Sequence, residues 1–212
     1  MSGLTEFQVE VARLFFAQPA AEGFLLAGGG ALLASGLTTR PTEDLDFFGE
    51  RGRSDVALVR EQFQSAASAA GWTVDAIQLS ATFARLSVRG SDLVVVDIAI
   101  DVAPGHPPVV SIAGPTFDPE ELAGRKLVAL FDRAEARDFA DVFVLAQRFG
   151  RSTLLVRAAE IDGGFDPEVL ATMMRSLARF VDDEIPTADA TADAIRAYFA
   201  NWADELDQPP RM

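Results

Sequence analysis

The chain has 212 residues, 49% of them hydrophobic, and a formal net charge of −14. That apolar content suffices for a substantial core in one or two domains and excludes a mainly disordered protein. The absence of cysteine excludes a disulfide framework and a thiolate metal site. No repeat or low-complexity tract interrupts the sequence.

The first predicted element is a helix from Thr5 to about Ala17. Thr5 is its N-cap and Gln8 stands three residues on, while Phe7, Val11, Leu14 and Phe15 share one face. Gly23 to Ala27 reads as a short apolar strand, and Ala31 to Ser35 as a helical turn ending near Gly36. Thr42 to Phe48 is the next strand. Asp55 to Ala70 follows as a helix stopped by Gly71, then a strand from Trp72 to Leu79. Thr82 to Val88 and Leu93 to Ala99 flank Arg89-Gly90-Ser91-Asp92 and read as a hairpin.

From Asp118 the pattern becomes helical. Asp118-Pro119-Glu120-Glu121 supplies an N-cap, proline at N1 and an acid at N3 for a helix running through Lys126 to about Asp132. Others are predicted from about Glu135 to Phe149, from Asp166-Pro167 to about Asp182, and from Ala188 to Leu206, before a Pro209-Pro210 tail. The expected division is an α/β core over 1–115 and a helical region over 116–212 that packs on it and helps close the site.

Charge is unevenly spread. Residues 1–124 carry −9, residues 125–157 carry +3 and residues 158–212 carry −8. This argues against binding bulk nucleic acid by charge alone, and leaves a short basic patch over 125–157 that an ordinary solvated helix surface would also explain. Lys126 is the single lysine among 18 basic residues. Its retention marks a position where a compact ammonium suits and a broad guanidinium does not.

The segment richest in chemistry is Asp44-Leu45-Asp46. On a strand both aspartates point to one face. Two carboxylates so close repel unless a cation lies between them. Hard oxygen ligands suit Mg²⁺, usually held by one or two carboxylates plus substrate phosphates. Upstream, Gly28-Gly29-Gly30 would let backbone approach those phosphates closely. Together the parts read as a nucleotidyl-transfer site. A third carboxylate, Asp97, ends the apolar run Leu93-Val94-Val95-Val96. A buried carboxylate there needs a partner such as the metal, whereas a strand-end aspartate in solvent does not.

Asp138 and Asp141 share a helix face, and Arg137 offers a surface ion-pair explanation for the cluster. One histidine, His106, and no cysteine argue against zinc or a histidine-based triad, so His106 is read as a loop residue. Phe15, Phe16, Phe47, Phe48, Phe139 and Phe143 are read as core rather than stacking platforms.

Gly28-Gly29-Gly30-Ala31-Leu32 followed by Arg40-Pro41-Thr42-Glu43-Asp44-Leu45-Asp46-Phe47-Phe48 resembles the polymerase-β nucleotidyltransferase superfamily, and within it the AbiEii/MenT nucleotidyltransferase toxins. Arg125-Lys126-Leu127 and Arg137-Asp138-Phe139-Ala140-Asp141 are similar to that family's third and fourth motifs. The resemblance implies an α+β fold, a polymerase-β-like mixed sheet with flanking helices followed by a helical region. It implies that Asp44 and Asp46 hold Mg²⁺, and the apolar run before Asp97 makes that carboxylate a candidate third ligand. It also implies that Gly28, Gly29 and Thr42 contact the phosphates of the NTP, that Lys126 neutralises the triphosphate, and that Asp141 is the fourth-motif acid. Either Asp97 or Asp141 would activate the attacking hydroxyl. Family members often carry Ser or Thr where Gly30 stands.

The function so implied is a toxin that transfers nucleotides from NTP to a tRNA 3′ end and blocks translation, with a cognate antitoxin as partner. Two alternatives are transfer to a small hydroxylated molecule such as an aminoglycoside, which an acidic surface would suit, and an inactive binding module of the same fold. The amino terminus lacks a signal-peptide pattern, and the apolar runs are far shorter than the ~20 residues that cross a bilayer. A soluble cytoplasmic protein without a membrane partner is therefore expected.

Overall fold

The computed structural model describes residues 3–186 and 190–208. The chain forms two compact units, with the boundary in sequence between Pro119 and Glu120. No helix among the described residues is long and apolar enough to cross a membrane.

The first unit is a mixed seven-stranded sheet with helices. Its elements in chain order are α1 (Glu6–Phe16), β1 (Leu25–Ala27), α2 (Gly28–Ala34), β2 (Asp44–Glu50), α3 (Val56–Ala69), β3 (Thr73–Leu79), β4 (Phe83–Arg89), β5 (Leu93–Asp101), β6 (Val109–Ser111) and β7 (Gly114–Thr116). The strand order is β3-β4-β5-β2-β1-β7-β6. β2 runs parallel to β5 and antiparallel to β1, and β4 and β5 form the predicted hairpin.

Sequence sets these elements locally. Thr5 and Gln8 exchange the two bonds of a capping box at 3.1 and 2.9 Å, which satisfies orphan amides at the start of α1. Asp55 caps α3 through the Leu58 amide at 3.0 Å. β2 alternates between buried and half-buried positions throughout, and β4 does so up to the exposed Arg89 at its end. Their buried side chains, Leu45, Phe47, Ala84 and Leu86, join Val96 and Ile98 of β5 in the core. Phe15 of α1 stacks on Phe47 with ring centroids 3.9 Å apart and meets Phe24 and Phe63 edge-on. Each such ring contributes roughly 1.5–3 kcal/mol by burial. Phe15, Phe47 and Phe139 are core, as expected, while Phe16, Phe48 and Phe143 are half-buried. β6 and β7 were not predicted; at three residues each they are too short to display alternation.

The second unit is helical: α4 (Pro119–Asp132), α5 (Ala136–Phe149), α6 (Arg151–Ile161), α7 (Pro167–Arg175) and α8 (Ala192–Leu206). Its core gathers Leu127, Leu130, Phe139, Val142, Leu145, Leu170, Met174, Phe199 and Trp202. Phe139 meets Phe199 edge-on at 5.0 Å.

The sequence misses α6, because only Leu154 and Ala158 of that helix are buried and its apolar period is weak. The helix predicted to reach Asp182 ends earlier, at Arg175, and passes into a 3₁₀ turn over Ser176–Arg179. There the Ser176 hydroxyl donates to the Met173 carbonyl at 2.6 Å, and Arg196 donates to the Leu177 and Phe180 carbonyls at 3.0 and 2.6 Å. These side chains satisfy carbonyls that a longer helix would have bonded internally. The predicted start of the last helix at Ala188 and the Pro209-Pro210 tail lie outside the described residues; α8 begins after an N-cap at Thr191.

Candidate active site

The half-buried face of the first unit's sheet carries its chemistry in two rows. Register aligns Ser87, Val95 and Asp44 across β4, β5 and β2. The next row is Arg85, Asp97 and Asp46, continued by Ala27 of β1. Asp44 and Asp46 thus share one face, because the intervening Leu45 turns into the core.

The backbone closes around this pair. After Ala27 the chain turns at Gly28 with φ +60°, where a Cβ would overlap the Asp46 carboxylate. A side chain at residue 28 is therefore excluded by both conformation and space. A Cβ on Gly29 would stand 3.0 Å from the Thr42 hydroxyl and 3.3 Å from an Arg40 guanidinium nitrogen. The Thr42 hydroxyl donates to Asp44 Oδ1. Thr42 is itself anchored, since Gln8 Nε2 of α1 donates to its carbonyl at 2.7 Å. Gly28, Gly29, Thr42, Asp44 and Asp46 therefore meet in one place.

Asp97 is 6% exposed, and its partner is Arg85. Arg85 Nε donates to Asp97 Oδ1 at 2.8 Å and Nη2 to Oδ2 at 2.6 Å. The hydrogen bonds to Asp97, together with the charges of Asp97, Asp44 and Asp46, hold the Arg85 pKa above its ordinary value despite an opposing burial penalty. Asp97 thus lies in the row of Asp46 but has both oxygens occupied by a fork-to-fork pair.

The donor set can be tested for Mg²⁺ on this geometry. No group of three or more His, Asp or Glu side chains forms a metal cage among the described residues. The Asp44 and Asp46 pair, half-buried on one face with glycine backbone against it, still fits an ion that takes one or two protein carboxylates and completes its shell with phosphate and water.

The second unit holds a separate ionic cluster between α4 and α5. Lys126 is 7% exposed, Asp138 0% and Asp141 1%. Lys126 Nζ lies 2.9 Å from Asp141 Oδ2 and 3.7 Å from Asp138 Oδ1. Arg133 grips Asp138 with Nε and Nη2 at 2.9 and 3.1 Å. The surface-pair explanation holds for Arg137, which pairs with Glu135 at 2.8 Å, and fails for Asp138 and Asp141, which are buried. The basic stretch is largely matched internally as well. Arg125 pairs with Glu121, Arg151 with Glu205, and Arg157 with Glu120 and Glu160. His106 lies in the loop between β5 and β6.

The family model described as nucleotidyl transferase AbiEii toxin, of Type IV toxin–antitoxin systems, matches residues 11–208. The chain belongs to the AbiEii nucleotidyltransferase toxin family. Three solved structures share its fold. A candidate nucleotidyltransferase from Helicobacter pylori aligns with TM-score 0.61 and 20% identity over 96% of each chain. JHP933 from Helicobacter pylori aligns with TM-score 0.57 and 20% identity over 96% of this chain and 93% of its own. MenT4, a nucleotidyltransferase toxin from Mycobacterium tuberculosis H37Rv, aligns with TM-score 0.52 and 18% identity over 96% and 91%. No curated protein matches the chain significantly.

For this AbiEii-family chain, sequence reasoning singled out neither Arg85 nor Arg133. Arg85 stands at an outward position of an alternating strand and looks like any solvated cation until register sets it opposite Asp97. Asp138, which stands in the fourth-motif segment and which a surface ion pair would also explain, is buried together with its neighbours Phe139, Ala140 and Val142.

Proposed function

We propose that this protein transfers a nucleotidyl group from an NTP to a tRNA 3′ end, with Mg²⁺ held by Asp44 and Asp46, and that a cognate antitoxin restrains it. The observation that carries the reading is the convergence of Asp44, Asp46, Thr42 and the backbone of Gly28 and Gly29 on one half-buried face. Family membership supplies the reaction class.

The chemistry asks for three things. Charge on the triphosphate must be offset, the leaving pyrophosphate must be stabilised, and a hydroxyl must be aligned with the α-phosphorus. Mg²⁺, when bound, supplies Lewis-acid stabilisation of the phosphoryl oxygens. Asp44 and Asp46 give the face its hard oxygen donors. Thr42 orients Asp44 through its hydroxyl, and α1 orients Thr42 through Gln8. The glycine backbone leaves room for phosphate where any side chain would collide with Asp46. In the second unit, the buried ammonium of Lys126 is oriented by Asp141 and Asp138. A lysine serves there as a point charge.

Incubating the protein with Mg²⁺, each labelled NTP in turn and total tRNA tests the reading. Label at the RNA 3′ end that disappears with chelator is expected. Folded protein that labels no RNA with any NTP contradicts it.

A further inference from the structure

We propose that Arg85, clamped on Asp97, is the residue that receives a backbone phosphate of the RNA acceptor and so sets where the attacking hydroxyl lies. This rests on the nucleotidyl-transfer reading of the Asp44 and Asp46 face.

The first support is sidedness. In sheet order, β1 and its Gly28 turn stand on one side of β2, while β5 and β4 stand on the other. With phosphate lodged against the glycine backbone on the β1 side, pyrophosphate leaves toward that side. In-line displacement then brings the acceptor from the β5 and β4 side. The bond forming is acceptor oxygen to α-phosphorus, and the bond breaking is α-phosphorus to the bridging oxygen of pyrophosphate. The hydroxyl proton passes to a carboxylate or to water. The chain's cation on the acceptor side of that row is Arg85, two strand spacings from Asp46, or about 10 Å.

The second support is how Arg85 is held. Nε and Nη2 are taken by Asp97, which fixes the plane of the guanidinium. Nη1 has no protein partner in the described residues, and the side chain remains 43% exposed. A guanidinium has two forked edges, so it can pair with a carboxylate on one and a phosphate on the other. The third support is sign. Asp44 and Asp46 make this face acidic, and a fixed cation at its border offsets their effect on an approaching polyanion while still rewarding a phosphodiester. A polycationic acceptor would instead be repelled at Arg85.

The test uses the full chain, 5′-labelled tRNA and the variants Arg85→Gln and Arg85→Lys. Glutamine keeps a hydrogen bond to Asp97 without charge. Lysine keeps the charge and the ion pair but lacks the second forked edge with which a guanidinium pairs with a phosphate. Expected results are a KM for tRNA raised about tenfold or more in Arg85→Gln and several-fold in Arg85→Lys. The KM for NTP should stay within about twofold, the level of an uninvolved site. The salt slope of tRNA binding, measured without NTP, should fall by about one. If Arg85→Gln fails to fold, Arg85→Lys decides alone. Unchanged tRNA KM and salt slope in Arg85→Lys, with the wild type active on tRNA, overturn the assignment and leave the function reading standing. A fall in kcat with both KM values unchanged overturns it too, as the mark of a structural role. A wild type that neither binds nor labels tRNA removes the function reading and this assignment together.

Discussion

Two acidic clusters built from the same residue types behave as opposites. On the sheet of the first unit, Asp44 and Asp46 are half-buried, two residues apart, and backed by glycine backbone. In the second unit, Asp138 and Asp141 are three residues apart on α5, buried, and matched by Lys126 and Arg133. Spacing alone does not separate them. Burial and partners do. The first arrangement, half-buried and oxygen-rich, suits a hard cation, whereas the second is buried and matched by cations within its own unit.

That comparison can be broken most severely at the sheet. Asp44→Ala or Asp46→Ala should reduce nucleotidyl transfer more than about a hundredfold, since metal-held carboxylates contribute several kcal/mol to such reactions. The fold should stay intact, as the melting temperature will show, because both side chains are only half-buried. Transfer above about a tenth of wild type in both variants, which is under about 1.4 kcal/mol, would contradict the assignment.

The second unit should respond in stability. Lys126→Ala removes a partner from a buried ion cluster and should destabilise by about 3–5 kcal/mol. Lys126→Arg should be milder, because the charge is kept while the larger, forked guanidinium must fit the same buried space. Denaturant unfolding of both variants checks this. Unfolding midpoints equal to wild type for Lys126→Ala would show that the cluster is not what its burial implies.

The smallest effect sharpens the account of how Asp138 is presented. Ala134, between α4 and α5, has φ +47°. Glycine would relieve about 1–2 kcal/mol of left-handed strain and lose about 0.8 kcal/mol of methyl burial. Ala134→Gly should therefore be neutral to slightly stabilising, by under about 1 kcal/mol. A loss of more than that would mean the methyl packs better than the backbone suffers.

Much of this was legible in the chain because it is written locally. The Thr5 and Gln8 box, the Asp55 cap, the Gly71 stop and the alternation of β2 each depend on residues within a few positions. The shared face of Asp44 and Asp46 and the close approach of backbone at Gly28-Gly29-Gly30 were likewise readable, since a strand's period and a glycine run mark them. What was not legible depends on register. Nothing in Phe83-Ala84-Arg85-Leu86 says that Arg85 will lie opposite Asp97 and in line with Asp46; that follows from three strands assembled in order. α6 escaped because two buried residues in eleven leave almost no period to read. The burial of Asp138 escaped because its partners, Lys126 and Arg133, come from the preceding helix and turn.

The central claim, that the sheet face of Asp44 and Asp46 is the metal–nucleotide site, is tested most directly by calorimetric titration of a non-hydrolysable nucleoside triphosphate. Wild type and Asp46→Asn would be compared, each with Mg²⁺ and with chelator. The account predicts binding by wild type that requires Mg²⁺ and is lost in Asp46→Asn with the fold intact. Equal binding by the two proteins, or binding by wild type that ignores Mg²⁺, would contradict it.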